Sequence, residues 1–149
     1  EYHQHLGIIQ SHSWWSRCFG SLIKAVGEDA NLVANSVCSI EFFPYRSRKF
    51  SHGQIRLPSQ QYTFGLVRRA IDRGAIFIVT RNLPLWLAAV PELDSLKDQH
   101  RLFMVKSPRR TSISNRNLRE AGAFDRIVEV IRSHNVKSDP AVLAVQSVA

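Results

Sequence analysis

The sequence predicts an α/β fold: a mainly parallel central sheet with helices on both faces, arranged as a three-layer sandwich. Strand-like apolar runs alternate with segments of helical period, in the order helix, strand, loop, helix, strand, helix, strand, loop, helix. The run Ala75-Ile76-Phe77-Ile78-Val79 is unbroken and rich in β-branched residues, the pattern of a strand covered on both faces. With 149 residues and 44% hydrophobic content, the chain is long enough to bury a core and suits a single domain. That domain is expected to hold an N-terminal helix over 13–26, a core over 36–133 and a tail over 134–149.

Trp15, Phe19, Leu22, Ile23 and Val26 recur at helical spacing, with Ser13 placed to cap the start and Gly27 to stop the end. After Glu28-Asp29, residues 30–34 form a short helical turn, and the first strand runs over 36–43. Residues 46–57 have no period and include Ser47, Ser51, His52 and Gly53, so they form a long loop of the length class that often carries function. Pro58-Ser59 opens a helix over 60–72, with Tyr62, Leu66, Val67, Ala70 and Ile71 on one stripe and Gly74 at its end. The second strand, over 75–79, is followed by a short helix over 83–90 that Pro91 stops. The third strand covers 102–105. Asn117 and Glu120 have capping-box spacing, and Leu118, Phe124, Ile127, Val128 and Ile131 mark a last helix to about Ser133. The tail, with Pro140 inside it, is compatible with a short strand, a docking segment or a partly disordered end.

Basic residues cluster where the strands end. The first strand empties into Pro44-Tyr45-Arg46-Ser47-Arg48-Lys49, the second into Thr80-Arg81-Asn82, and the third into Lys106-Ser107-Pro108-Arg109-Arg110. In a parallel sheet those exits share the carboxyl edge, where open α/β folds bind their ligands, so a single basic crevice is expected. The net charge of +8, from 20 Lys and Arg against 12 Asp and Glu, favours an anionic partner: nucleic acid or a phosphorylated small molecule, with an acidic protein as a further option.

Other classes find little support. Cys18 and Cys38 lie in apolar patterns without metal-ligand spacing or a disulfide framework, so both thiols are expected to be buried in an intracellular protein. No stretch approaches the roughly 18 apolar residues of a membrane span and no leader pattern stands at the start, so a soluble, cytoplasmic protein without a membrane partner is expected. Glu1 in place of methionine points to processing, to removal of a tag or to a segment upstream. The glycines form neither a Walker A loop nor a G-x-G-x-x-G turn, and the histidines lack companion carboxylates or cysteines, so neither a cofactor nor a metal is expected. The oligomeric state is not legible.

Ile40-Glu41-Phe42-Phe43-Pro44-Tyr45-Arg46-Ser47 resembles the first motif of the uracil-DNA glycosylase superfamily, a strand ending in a turn that carries Pro-Tyr. Lys106-Ser107-Pro108-Arg109-Arg110-Thr111-Ser112 resembles that superfamily's second motif, a His-Pro-Ser-Pro-like turn ahead of the closing helix. The resemblance spans about residues 36–133 and implies a uracil-DNA glycosylase-like fold and nucleic-acid binding, with a divergent base-processing activity left open. The pattern departs at two positions. Phe43 stands where the family's best-known members place a water-activating Asp or Asn, and Ser107 stands at the position of the histidine that stabilises the departing uracil anion.

The candidate residues follow. Tyr45 would stack on a base, or else lid the core. Arg46, Arg48, Lys49, Arg81, Lys106, Ser107, Arg109 and Arg110, joined by Arg116, would hold phosphates, and a helix starting beyond Asn117 would add backbone donors. Glu41, the carboxylate on the first strand, and His52, in the long loop, are the candidates for proton or water handling, Glu41 having an ordering ion pair with an arginine as its alternative role. A small-molecule hydrolase or transferase acting on a phosphorylated metabolite is the competing function, and a non-catalytic interaction module the third.

Overall fold

The computed structural model describes residues 11–43, 57–110, 112–134 and 142–146. The chain is mixed helix and strand around a small parallel sheet. Helix α1 spans Ser11–Ala25, α2 Ala30–Ser36, β1 Val37–Glu41, α3 Pro58–Asp72, β2 Ile76–Val79 and α4 Leu83–Ala89. A 3-10 helix over Pro91–Leu96 precedes β3 (Leu102–Met104), α5 (Ala123–Ser133) and β4 (Val142–Gln146).

The sheet has the order β1-β4-β2-β3, and every pairing is parallel. Strand β4 is inserted between β1 and β2, with Val142 opposite both Val37 and Ile76. Of the three readings open for the tail, the strand is therefore the one adopted over Val142–Gln146, and it sits inside the sheet. Because all four strands point the same way, the residues after β1, β2 and β3 emerge along one edge.

The period-2 alternation of side chains divides the core between the two faces of the sheet. Ile76 and Ile78 join Phe103, Val142 and Ala144 in a cluster completed by Phe19 and Leu22 of α1, Val33 of α2, and Ile127 and Ile131 of α5. Phe77 and Val79 face the other way, into Phe64, Val67 and Ala70 of α3, Trp86 of α4, and Leu93 and Leu96 of the 3-10 helix. All four residues of β2 are buried, as its unbroken apolar run requires.

Local chemistry sets the element ends. At the end of α1, Gly27 adopts φ +92°, and Glu28 N–H donates to Ile23 O (2.8 Å) while Gly27 N–H donates to Lys24 O (3.2 Å). Gly74 repeats the arrangement after α3 at φ +83°, with Ala75 N–H on Ala70 O (3.0 Å). Both need the left-handed backbone that glycine adopts without a steric cost. Asp29 caps α2 by accepting from Leu32 N–H at 2.8 Å. At the start of α3, buried Gln60 accepts from Leu57 N–H (2.8 Å) and donates to Phe42 O (3.0 Å), fastening that helix to the exit of β1.

Several boundaries differ from the sequence expectation. Helix α1 begins at Ser11, which places Ser13 within the helix and not at its cap. Ser36 ends α2, and β1 stops at Glu41, so Phe42 and Phe43 lie beyond the strand. The last helix begins at Ala123, and Asn117 and Glu120 form no capping box. The intervening segment runs back along the outer side of β3 instead: Val105 bridges Leu118 in antiparallel fashion, Arg119 N–H donates to Met104 O (2.9 Å), and Glu120 Oε2 accepts from Met104 N–H (3.1 Å). These bonds satisfy the backbone of an edge strand, a stronger demand than an extra helical turn. Cys18 is buried as expected, but Cys38 is only half-buried because β1 is the sheet's other edge strand. Burial still pushes the Cys38 thiol above its ordinary value.

Candidate functional site

The segment after β3 folds into a cradle. Ser107 to Arg110 close a turn, Arg110 N–H donating to Ser107 O at 3.1 Å, with Pro108 at the position where its fixed φ suits such a turn. Ile113, 1% exposed, points into the core, and its N–H donates to Cys18 O of α1 at 2.8 Å, anchoring the far side of the loop. Asn117, 6% exposed, ties the two sides together. Its Nδ2 donates to Arg110 O (2.7 Å) and Ser112 O (2.8 Å), and its Oδ1 accepts from Ser107 N–H (3.3 Å). The backbone N–H of Lys106 donates to Asn117 O at 2.6 Å. One buried amide therefore sets the loop's shape through bonds to backbone groups that have no strand or helix to satisfy them.

The cradle encloses a half-open cavity of about 330 Å³ lined by Lys106, Ser107, Arg110, Ser112, Ser114, Arg116 and Asn117. Among the described residues no carboxylate lines it. Among the described residues the side-chain ion pairs lie elsewhere, at Arg68–Glu92, Lys97–Asp94 and Arg126–Glu129. Lys106 Nζ donates to Arg116 O at 3.3 Å, which positions the ammonium without neutralising it. Arg109 and Arg110 are exposed on the turn. Positive charges held close together repel one another, and a bound anion relieves that repulsion.

The neighbouring strand exit is joined to this loop. Arg81, directly after β2 and buried Thr80, donates through Nε to Pro108 O at 3.0 Å. Its guanidinium is thus used in part to hold the turn that presents Arg109 and Arg110. Glu41, at the end of β1, is half-buried, and its Oε2 is buried without a hydrogen-bond partner among the described residues. Desolvation raises its carboxyl above the ordinary range, and the positive charge of Arg81 opposes that rise without cancelling it. Among the described residues Glu41 forms no ion pair, and the loop whose arginines could pair with it lies outside them.

Arg81, Lys106, Ser107, Arg109 and Arg110 thus lie along the carboxyl edge, with Glu41 at the exit of the outermost strand. Tyr45, Arg46, Arg48, Lys49 and His52 lie outside the described residues. The expected helix start after Asn117 is absent, so the backbone donors it would have supplied are not part of the site. The residues not singled out as binders in the sequence are Ser112, Ser114 and above all Asn117, which looked like a helix cap. The signal for them is the short run Ser112-Ile113-Ser114-Asn115-Arg116-Asn117, small polar residues around one isoleucine that anchors the loop. Other cations serve structure: Arg101 Nη2 donates to Ile71 O (2.8 Å) and Ala75 O (3.1 Å), and Arg132 to Ala25 O (2.6 Å).

Phe42 and Phe43 fill the core beside the site. Phe42 is fully buried, its ring centroid 5.0 Å from Trp86, 5.3 Å from Phe64 and 5.1 Å from Phe43. The position that resembles a water-activating one is therefore occupied by packed aromatic carbon. Among the described residues no three His, Cys, Asp or Glu side chains come together as a metal site, and no helix is long and apolar enough to cross a membrane. No family model, curated protein or solved structure matches the chain.

Proposed function

We propose that this protein binds nucleic acid through the basic loops after β2 and β3, on a three-layer α/β framework of the kind that uracil-DNA glycosylases use. The observation that carries the reading is the cradle of Lys106, Arg110 and Arg116, with Arg109 beside it, in which no described carboxylate offsets the charge. Arginine guanidinium groups offer forked donors matched to phosphate oxygens, and loops at one sheet edge can present several of them to a strand. Tyr45, Arg46, Arg48 and Lys49 would extend the same surface from the exit of β1. The reading is one of binding first. Phe43 contributes apolar packing and Ser107 carries no charge, which leaves Glu41 and His52 as the groups for any divergent base-processing step.

The test is a fluorescence-anisotropy titration of single-stranded and duplex DNA over a salt series. Arg109→Ala/Arg110→Ala is expected to weaken binding and to make the salt slope shallower by about 1.4 for a single strand, from roughly 0.7 per phosphate contact. Unchanged affinity and slope would overturn the reading. The half-enclosed cavity also favours a second reading, a hydrolase or transferase for a phosphorylated metabolite, since about 330 Å³ falls at the small end of the roughly 300–1,000 Å³ typical of small-ligand sites.

A further inference from the structure

We infer that the Lys106–Asn117 cradle is a site for a phosphomonoester dianion, the terminal phosphate of a nucleotide or strand, and not for the diester phosphates along a strand's interior. This rests on the reading of the loops as a phosphate-binding surface and narrows it.

Three features of the cavity carry the inference. Its charge is the first: Lys106, Arg110 and Arg116 line one space to which no described residue contributes a carboxylate, whereas a backbone diester brings a single negative charge. A monoester brings between one and a half and two charges and three strong acceptor oxygens, by analogy with phosphorylated side chains, where the charge is about −1.5 to −2 near neutral pH. The neutral donors are the second. Ser107, Ser112 and Ser114, each a hydroxyl-bearing residue, line the same space, while the amide of Asn117 is committed to Arg110 O, Ser112 O and Ser107 N–H and holds the wall in place. A terminal phosphate can thus receive both charged and hydroxyl donors from a loop already shaped before it binds. Enclosure is the third. A cavity of about 330 Å³, bounded on one side by the Ser107–Arg110 turn and on the other by the 112–117 segment, admits an end group, whereas an interior diester requires the chain to enter and leave.

The source of the monoester, a strand end or a free nucleotide, is separated by the arms of one experiment. Wild-type protein and Arg110→Ala/Arg116→Ala are titrated with a labelled decanucleotide carrying a 5′-phosphate, a 3′-phosphate or hydroxyls at both ends, and with a mononucleotide monophosphate and inorganic phosphate as competitors. Both arginines are exposed, and equal urea midpoints confirm that the variant folds. The expected result is binding at least about tenfold tighter to one phosphorylated end, an advantage absent in the variant, as charge-assisted bonds to a dianion require. If all three oligonucleotides bind equally, with a salt slope that the variant lowers, the monoester inference fails and the nucleic-acid reading stands. Binding of the mononucleotide and inorganic phosphate alone, lost in the variant, upholds the monoester site and overturns the nucleic-acid reading. Binding of none of them overturns both.

Discussion

Replacing Asn117 by alanine should loosen the loop that forms the cradle, and the size of the effect follows from its bonds. Asn117 is 6% exposed and makes three side-chain hydrogen bonds, to Arg110 O, Ser112 O and Ser107 N–H. At about 1 kcal/mol net for each bond, the loss is about 3 kcal/mol, a large part of the roughly 5–15 kcal/mol that holds a domain of this size folded. The two carbonyls sit in partly buried surroundings, so water can reach them only in part and the cost is not erased by rehydration. With a urea slope of about 2 kcal/mol per molar, the midpoint should fall by about 1.5 M. Asn117→Asp separates shape from bonding. It keeps an acceptor for Ser107 N–H but turns carboxylate lone pairs toward Arg110 O and Ser112 O, so it should destabilise the fold by a similar amount while also cancelling positive charge in the cavity. Urea unfolding followed by tryptophan fluorescence measures both. A change below about 0.5 kcal/mol for Asn117→Ala, or a wild-type midpoint for Asn117→Asp, would refute the assignment of Asn117 as the residue that shapes the loop.

Two further outcomes test the neighbouring core and the carboxylate beside it. Phe42→Ala removes a ring packed among Phe43, Phe64 and Trp86 and should cost about 3–5 kcal/mol, lowering the thermal midpoint by roughly 6–20 °C; a shift under about 2 °C would show that the aromatic cluster is not packed as described. Glu41 is held above its ordinary carboxyl range by desolvation, so the folded state binds its proton more tightly than the unfolded chain does. Stability from this group is present below the unfolded value and is lost as pH rises through the raised one. Glu41→Gln should therefore gain on the wild type between pH 4 and pH 7.5 in paired urea titrations, and a gap that stays constant across that range contradicts the desolvated carboxyl.

Much of the architecture can be read from the chain because local chemistry and tertiary packing agree there. Gly27 and Gly74 end helices for a reason visible in one residue, and the apolar run of β2 matches a strand covered on both sides. The Asn117–Glu120 spacing satisfies a capping pattern as well as a loop pattern, and sequence spacing cannot choose between them. The choice depends on the outer edge of β3, whose backbone is satisfied by Leu118, Arg119 and Glu120. The same holds for the tail: Val142-Leu143-Ala144-Val145 is too short an apolar run to declare its structure, and its place between β1 and β2 comes from pairing with residues far away in the chain.

The candidate site divides along the same line. That cations follow strand exits is a property of the residue order, and a parallel sheet brings those exits to one edge whatever the details of packing. Sequence by itself therefore determined the class of secondary structure, the alternation that builds two apolar faces, and the excess of positive charge at one edge. Tertiary structure alone decided which of the described cations pair with a carboxylate, that Arg81 spends a donor on Pro108 O, that Phe42 belongs to the core, and that Asn117 closes a cavity. The physical reason is range: helix period, strand alternation and glycine turns act over a few residues, whereas desolvation, charge pairing and the filling of volume depend on groups that only folding brings together.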